Sequence, residues 1–264
     1  MRRWMAGAMA FVRRDFQVAL SYRVPFVFDF IGVFFVVFEL YFLSKIVPDG
    51  GVTGDYLAFV VTGLVVTTFL ISGASVIANA VRQEQVQGTL EVTLSAGLSL
   101  PRLAVGMSVY PMAAGAARAA VYAGLAASLG ARIPGANWGL AVVATVLGSI
   151  SFVAIGLMGV ALVLAIRQAS GAIAWALGAA TLLAGVLFPV ELLPGWLRVV
   201  SGWSPATWTL QTVRAALGDG GSLASEWRSL ALLAAMGVAF TALALGALSW
   251  SLHHTRRTGS LSLY

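Results

Sequence analysis

Long apolar runs separated by short polar connections dominate the chain. Each run approaches or exceeds the roughly 20 residues that an α-helix needs to cross about 30 Å of hydrocarbon. The pattern therefore predicts an all-α polytopic membrane protein with six transmembrane helices, at residues 25–47, 56–80, 103–129, 139–166, 171–190 and 229–252. Only a tight turn, Arg167-Gln168-Ala169-Ser170, separates the fourth span from the fifth.

Residues 1–22 have the pattern of an amphipathic helix that precedes the first span. Polar side chains fall on one helical face, and apolar side chains such as Trp4 and Phe11 fall on the other. This distribution is typical of a helix in the membrane interface. The short apolar run has no small-residue cleavage site, so we do not expect a signal peptide. A solvated or calmodulin-binding helix is the alternative. The basic face carries Arg2, Arg3, Arg13 and Arg14.

A polar segment, residues 81–102, interrupts the apolar pattern between the second and third spans. We expect the second span to continue as helix to Gln87, because Gly88 readily takes the left-handed conformation that ends a helix. Thr89 is then the predicted N-cap of a short helix over residues 90–95. A rigid helix held below the membrane by two long spans suits contact with a soluble partner. An ordinary interfacial loop is the alternative.

Three ionisable residues, Asp29, Glu39 and Arg118, lie within the predicted spans. Such groups are costly in hydrocarbon, and they are usually paired or functional. Glu39 and Arg118 each lie roughly 21–22 Å along their helices from the same side, at 1.5 Å per residue. Their matching depths predict an ion pair, within one chain or across a dimer. A static packing role is favoured over contact with a substrate.

Two prolines, Pro189 and Pro194, interrupt the fifth span at its outer end. The apolar run that follows is too short to cross a membrane. It therefore predicts a re-entrant or interfacial hairpin between the fifth and sixth spans, at residues 190–227, which we call the outer hairpin. It is either an outer gate or an aromatic anchor at the membrane interface. The gate candidates are Pro189, Glu191, Pro194 and Trp196.

Composition excludes a soluble globule. Hydrophobic residues make up 59% of the 264-residue chain and charged residues only 10%, against about a quarter charged in soluble domains. The formal net charge is +6, and there is no cysteine. Disulfides and cysteine-ligated metals are thus excluded, and the excess of base indicates membrane topology rather than nucleic acid.

The distribution of arginine predicts the orientation of the chain. Most arginines fall on one side of a six-span topology, and the positive-inside rule places that side in the cytoplasm. Both termini are then cytoplasmic, including the tail at residues 253–264. High alanine, glycine and arginine indicate a bacterial source, and hence the cytoplasmic membrane.

Two motifs resemble permeases of type-2 ABC exporters. The first follows the second span and comprises Glu84, Gly88, Thr89, Leu90, Glu91 and Leu94. The second is similar to the outer segment of that family and comprises Phe188-Pro189, Glu191, Leu193-Pro194, Trp196-Leu197, Ser204-Pro205-Ala206-Thr207 and Arg214. Ser204-Pro205 stands where the family commonly has Asn-Pro. Length, span count and the interface helix extend the resemblance to nearly the whole chain.

The resemblance implies a function for each segment. The first motif, within residues 81–102, would be the coupling helix that contacts a nucleotide-binding ATPase subunit. Two permease copies, here predicted as a homodimer, would pair with two ATPase subunits. The chain has no GxxxxGK loop, so ATP and Mg²⁺ would bind the partner, and we expect this chain to bind no cofactor and to have no enzymatic activity. The expected cargo is a drug, a lipid or a lipid-linked glycan, exported across the bilayer.

Other classes of protein fit the sequence less well. A non-transporting scaffold or sensor for an ABC-type ATPase is the main alternative. An intramembrane enzyme would need a catalytic or metal-ligating cluster, but the only histidines are His253 and His254, and no HExxH motif occurs. An ion-driven carrier is disfavoured because no inverted repeat with broken helices is evident.

Overall fold

The computed structural model describes residue 17 and residues 23–46, 55–86, 100–131, 137–165, 169–218 and 220–258. These residues form helices and turns, without a strand, which confirms the all-α class for the described part of the chain. The helices are α1 (Arg23–Ile46), α2 (Tyr56–Val86), α3 (Leu100–Ser128), α4 (Trp138–Ala165), α5 (Ala169–Leu183), a 3-10 turn (Val190–Leu192), α6 (Gly195–Gly202), α7 (Pro205–Gly218) and α8 (Trp227–Thr258).

Each of the six predicted spans coincides with a helix, namely α1 to α5 and α8. Within the described residues, three stretches are long and apolar enough to cross a membrane: Tyr56–Ala74, Trp138–Val163 and Trp227–Ser251. The six-span count therefore stays a prediction. Large apolar side chains point outward, including Phe35 and Val238, each 73% exposed. An outer surface of this kind is expected of a protein that lies in lipid.

The helices pack around α2 and α4. α2 lies between α3 and α4, α8 packs along α4, and α7 inserts against α4 and α2. The main core includes Leu70, Leu140, Leu210 and Leu233 from α2, α4, α7 and α8. A second core joins α1 to α2 and α3 through Val37, among other residues. The short α7 is therefore buried as deeply as the long helices beside it.

Many hydroxyl groups in these helices donate to their own helix backbone, although the buried Ser151 Oγ on α4 has no hydrogen-bond partner among the described residues. Thr67, Ser149, Thr209 and Thr241 are examples, and each donates to the carbonyl four residues earlier at 2.7 Å. Such bonds allow a hydroxyl to lie in an apolar environment without an external partner. Ser251 instead donates from α8 to the carbonyl of Ala161 on α4, at 2.9 Å.

The fifth helix is shorter than predicted. The sequence predicted a span over residues 171–190, but α5 ends at Leu183. Gly185 follows with φ +76°, a left-handed conformation that ends a helix and that glycine adopts without strain. The break therefore precedes Pro189 and Pro194, which instead introduce the 3-10 turn and α6.

Close contact between α2 and α4 depends on Gly156. A Cβ built at this position would lie 2.6 Å from the carbonyl oxygen of Ala74, and backbone cannot move aside as a flexible side chain can. Small residues allow helices in membranes to approach in this way. Gly156 is therefore a packing residue between α2 and α4.

We expect Gly156→Ala to lower the melting temperature of the purified protein in detergent. Overpacking of this kind typically costs about 1–3 kcal/mol. Gly246→Ala is the matched control, because nothing lies within 4 Å of a Cβ at Gly246. The control should melt at the parent temperature or above it, since alanine favours helix. Equal melting temperatures for the two variants would contradict the close α2–α4 contact.

Candidate functional site

The outer hairpin is built from two helices too short to cross a membrane. Pro189 precedes the 3-10 turn, and Pro194 precedes α6. Proline is tolerated at the start of a helix because an N–H there has no helical partner. α7 then packs against α4 and α2. The hairpin is thus a helical segment that returns to the helix bundle without forming a span.

Two buried hydroxyl groups hold α6 and α7 to the end of α5. Ser201 Oγ donates to the carbonyl of Leu183 at 2.7 Å and lies 3.1 Å from Thr207 Oγ1. Ser201 is 0% exposed and Thr207 3%. The last turn of α5 leaves carbonyl groups without helical donors. Both helices of the hairpin therefore meet at a carbonyl that needs a partner.

Arg214, on α7, donates hydrogen bonds to three backbone carbonyl groups. We call this arginine and its three acceptors the Arg214 site. Its Nη1 donates to Gly185 at 2.9 Å, and its Nη2 donates to Val186 and Phe59, each at 3.1 Å. Gly185 and Val186 belong to the break after α5, and Phe59 belongs to α2. One guanidinium, with its planar fork of donors, therefore joins three segments that are distant in sequence.

The ring of Phe59 and the backbone at Gly63 lie close to this guanidinium. Arg214 Cζ lies 3.4 Å from the centroid of the Phe59 ring, which is a cation–π contact. A Cβ built at Gly63 would lie 2.9 Å from the Val186 oxygen and 3.0 Å from Arg214 Nη2. The Arg214 site thus requires the absence of a side chain at position 63.

The guanidinium stays charged although it is removed from water. Arg214 belongs to α7, outside the spanning helices. Burial lowers its pKa to about 9, and the nearby Glu191 carboxylate acts in the opposite direction. This pKa is above neutrality, so the cation persists at pH 7. Three carbonyl oxygens accept from Nη1 and Nη2, whereas Nε is buried without a hydrogen-bond partner among the described residues.

Asn137, at the start of α4, holds the C-terminal end of α7, close to Arg214 in sequence. Its backbone N–H donates to Ala216 and its Nδ2 donates to Gly221, both at 2.9 Å. Its Oδ1 accepts from the N–H of Leu140 at 3.2 Å, as an N-cap residue does. α7 is therefore bound to spanning helices through Asn137 as well as through Arg214.

The predicted gate residues lie on the surface of the hairpin or at its helix starts. Glu191 is exposed, and its carbonyl accepts a hydrogen bond from Arg198. Trp196 is 69% exposed and extends an apolar stripe with Leu192, Val199 and Trp203. Pro189 and Pro194 begin local helices. None of these positions tests gating, so the gating role of all four residues stays a prediction.

The predicted ion pair also stays a prediction. Glu39 is exposed on α1. Arg118 is half-buried on α3, and its Nη2 donates to Ser72 Oγ at 3.4 Å. An exposed carboxylate on the surface of a single chain leaves pairing across a dimer open.

The predicted partner-binding and interface residues lie largely outside the described part of the chain. α2 extends to Val86, in agreement with the expected continuation of the helix beyond Ala80. This helix includes the backbone of Glu84. The side chain of Glu84 and the remaining residues are not described: Gly88, Thr89, Leu90, Glu91 and Leu94 of the coupling motif, and Arg2, Arg3, Arg13 and Arg14 of the interface helix.

The Arg214 site was not predicted as a site. In the sequence Arg214 is recognisable only as part of the outer motif, and no motif includes Phe59 or Gly63. The usable signal is a cation between Val213 and the apolar run Ala215-Ala216-Leu217, because a charge on an apolar stretch needs a specific partner where it is buried. No such signal marks a backbone carbonyl acceptor, which any residue can supply.

Three apolar helices of spanning length among the described residues, together with an all-helical fold, define a multi-pass α-helical membrane protein. The family profile described as ABC-2 type transporter matches residues 8–217, well over half of the chain. The chain belongs to this family, and it is therefore a membrane permease of an ABC-type transporter. A comparison with curated proteins found no match.

We expect Ser201→Ala to loosen the hairpin at the end of α5. The substitution removes the hydroxyl that bonds Leu183 and Thr207, at a cost of about 1 kcal/mol, or roughly fivefold faster amide exchange if the hairpin opens locally. Hydrogen–deuterium exchange of residues 195–207 in detergent measures this effect. Ser249→Ala is the control, because Ser249 donates only within its own helix. Unchanged exchange in Ser201→Ala would contradict the role of this hydroxyl.

Proposed function

We propose that the chain is the permease of an ABC exporter driven by ATP hydrolysis on a separate nucleotide-binding subunit. The observation that carries this proposal is the uninterrupted helix α2. It runs from the Arg214 site to Val86, at the start of the predicted coupling loop. Its 31 residues extend roughly 46 Å at 1.5 Å per residue, more than the thickness of the hydrocarbon core. A partner bound to the loop would thus act on a helix that reaches the hairpin.

The proposed assembly has two copies of this chain and two ATPase subunits, with ATP and Mg²⁺ bound to the ATPases. Pairing of Glu39 with Arg118 belongs to the same proposal, either within one chain or between the two copies. The aromatic side chains of α1, among them Phe28 and Phe35, are 67% and 73% exposed. Such a surface suits burial by lipid or by a second copy.

The proposed cargo is amphipathic or hydrophobic. A cavity of about 410 Å³ lies among α2, α3, α4 and α8, and its walls include Phe69, Met112 and Ile150. Ser149 and Thr241 also line it, but their hydroxyls donate to carbonyls of their own helices. The lining thus offers carbon surface to a hydrocarbon chain, which supports a drug, a lipid or a lipid-linked glycan as cargo.

The proposed location is the bacterial cytoplasmic membrane, with both termini in the cytoplasm and the outer hairpin on the opposite side. The distribution of arginine supports this orientation. Export follows from it together with the family resemblance, because the ATPase would then act from the cytoplasm. A scaffold or sensor that binds an ATPase without moving cargo is the second candidate.

The double variant Glu84→Arg with Leu90→Asp should lose its ATPase partner. Reversing one charge and adding another on an apolar contact both oppose docking of the coupling helix. The measurement is co-purification of ATP-hydrolysing protein with the tagged chain from native membranes. Glu191→Arg with Leu192→Asp is the matched control, since it makes the same changes on the exposed hairpin. The control should retain the partner.

Absence of ATPase activity in the wild-type preparation, with the protein folded, would overturn the exporter proposal. Equal loss in both double variants would show that the loop is not the specific contact. Capture of the ATPase without ATP-dependent movement of any amphipathic cargo in vesicles would favour the scaffold or sensor.

Single cysteines test the proposed orientation, because the chain has none of its own. Ala224→Cys and His253→Cys both replace exposed residues, one in the outer hairpin and one at the end of α8. In intact cells an impermeant maleimide should label the first variant and spare the second. Permeabilised cells should show labelling of both. The reverse pattern would place the hairpin in the cytoplasm.

A further inference from the structure

Arg214 connects the outer hairpin to α2 as well as to the end of α5. Two of its acceptors, Gly185 and Val186, lie next to the hairpin in sequence. The third, the carbonyl of Phe59, is on α2, 155 residues earlier. A bond to a neighbouring turn stabilises the hairpin itself, whereas the bond to Phe59 joins it to another helix.

The Phe59 contact is specific to this place on α2. The guanidinium lies over the Phe59 ring as well as bonding its carbonyl. Gly63, one turn further along, leaves the space that the Val186 oxygen and Arg214 Nη2 occupy. Arg214 therefore makes a hydrogen bond and a cation–π contact at one turn of α2, and the missing side chain of Gly63 leaves room for both.

α2 continues from this turn without a proline to Val86. The 28 residues from Phe59 to Val86 extend roughly 40 Å at 1.5 Å per residue. Sharp kinks in helices occur at proline, at bulges and at Gly/Ser pairs. α2 has the pair Ser72-Gly73, but it is continuous helix there and lies between α3 and α4. Displacement of its far end is therefore carried along its length rather than absorbed at a hinge.

We propose that Arg214 is the positioning residue that makes the outer hairpin follow α2 when the far end of that helix moves. It acts through the Phe59 carbonyl and ring, and it touches no cargo. The inference rests on the proposed function, in which an ATPase moves the loop after Val86. It adds the residue through which that movement reaches the hairpin.

Arg198 provides a matched control for this role. It is also an arginine of the outer hairpin, and it also donates to backbone carbonyls, those of Glu191 and Leu193. Both acceptors lie within the hairpin. Arg198→Gln thus removes the same kind of contact as Arg214→Gln without affecting the connection to α2.

The experiment uses the tagged chain with its co-purified ATPase in lipid nanodiscs, where both faces are accessible. Trp203→Cys, at a position 76% exposed on the hairpin, gives this chain its single thiol, and labelling is scored on this chain after separation from the ATPase. The rate at which a polar thiol reagent labels it is measured with and without ATP, Mg²⁺ and vanadate. The parent and Arg198→Gln should show a clear difference between the two conditions. In Arg214→Gln the ratio of the two rates should fall to about 1, as expected when two sites have lost their coupling, while ATP hydrolysis persists.

A second pair of variants keeps Arg214 and tests the same connection if Arg214→Gln does not fold. Gly63→Ala places a methyl group against the Val186 oxygen and Arg214 Nη2, whereas a Cβ at Gly124 meets nothing within 4 Å. Gly63→Ala should abolish the nucleotide-dependent labelling difference, and Gly124→Ala should retain it.

Three outcomes separate this inference from the proposed function. No ATPase in the purified complex contradicts the proposed function and, with it, the inference. Nucleotide-dependent labelling that survives in both Arg214→Gln and Gly63→Ala overturns the inference alone. An active ATPase without any nucleotide effect on labelling in the parent also overturns the inference alone.

Discussion

Carbonyl groups released where a helix ends must find hydrogen-bond donors wherever water is excluded. An unsatisfied buried polar group costs a few kcal/mol, and lipid offers no replacement for water. α5 ends at Leu183, and the carbonyls of Leu183, Gly185 and Val186 accept from side chains of the hairpin. The break in α5 therefore depends on the position of the hairpin, because the carbonyl groups at the break need the hydrogen-bond donors that the hairpin supplies.

This constraint explains which residues the hairpin contains. Ser201 and Thr207 supply hydroxyls at the first carbonyl, and Arg214 supplies the guanidinium at the next two. Glycine is needed on the facing helices, because Gly63 and Gly148 leave room for Arg214 and for Thr209. Donors on the hairpin and missing side chains on the spans thus act together to bring α7 into the bundle.

The sequence predicted the helices well, because the apolar runs are long and their periodicity is unambiguous. It predicted the end of the fifth span poorly, because the apolar run continues beyond Gly185 to Pro189, whereas the left-handed turn that ends the helix occurs at Gly185. The family resemblance identified Arg214 within a motif but gave it no partner. The acceptors of Arg214 are backbone carbonyl groups, which every residue has, so the sequence does not distinguish them. Contacts that depend on an acceptor of this kind are visible only in three dimensions.

A cation bound to carbonyls suits a segment that moves. A buried ion pair loses several kcal/mol when one partner leaves, because each charge is stranded in a medium of low polarity. Arg214 instead bonds three neutral acceptors shared between two segments. If the hydrogen bond from Arg214 to the Phe59 carbonyl breaks, the bonds from Arg214 to Gly185 and Val186 remain, so the guanidinium keeps two acceptors. The two bonds at the break after α5 thus keep the charge satisfied, while the third bond connects the hairpin to α2. A hairpin held in this way can move together with α2 without unfolding at the break in α5.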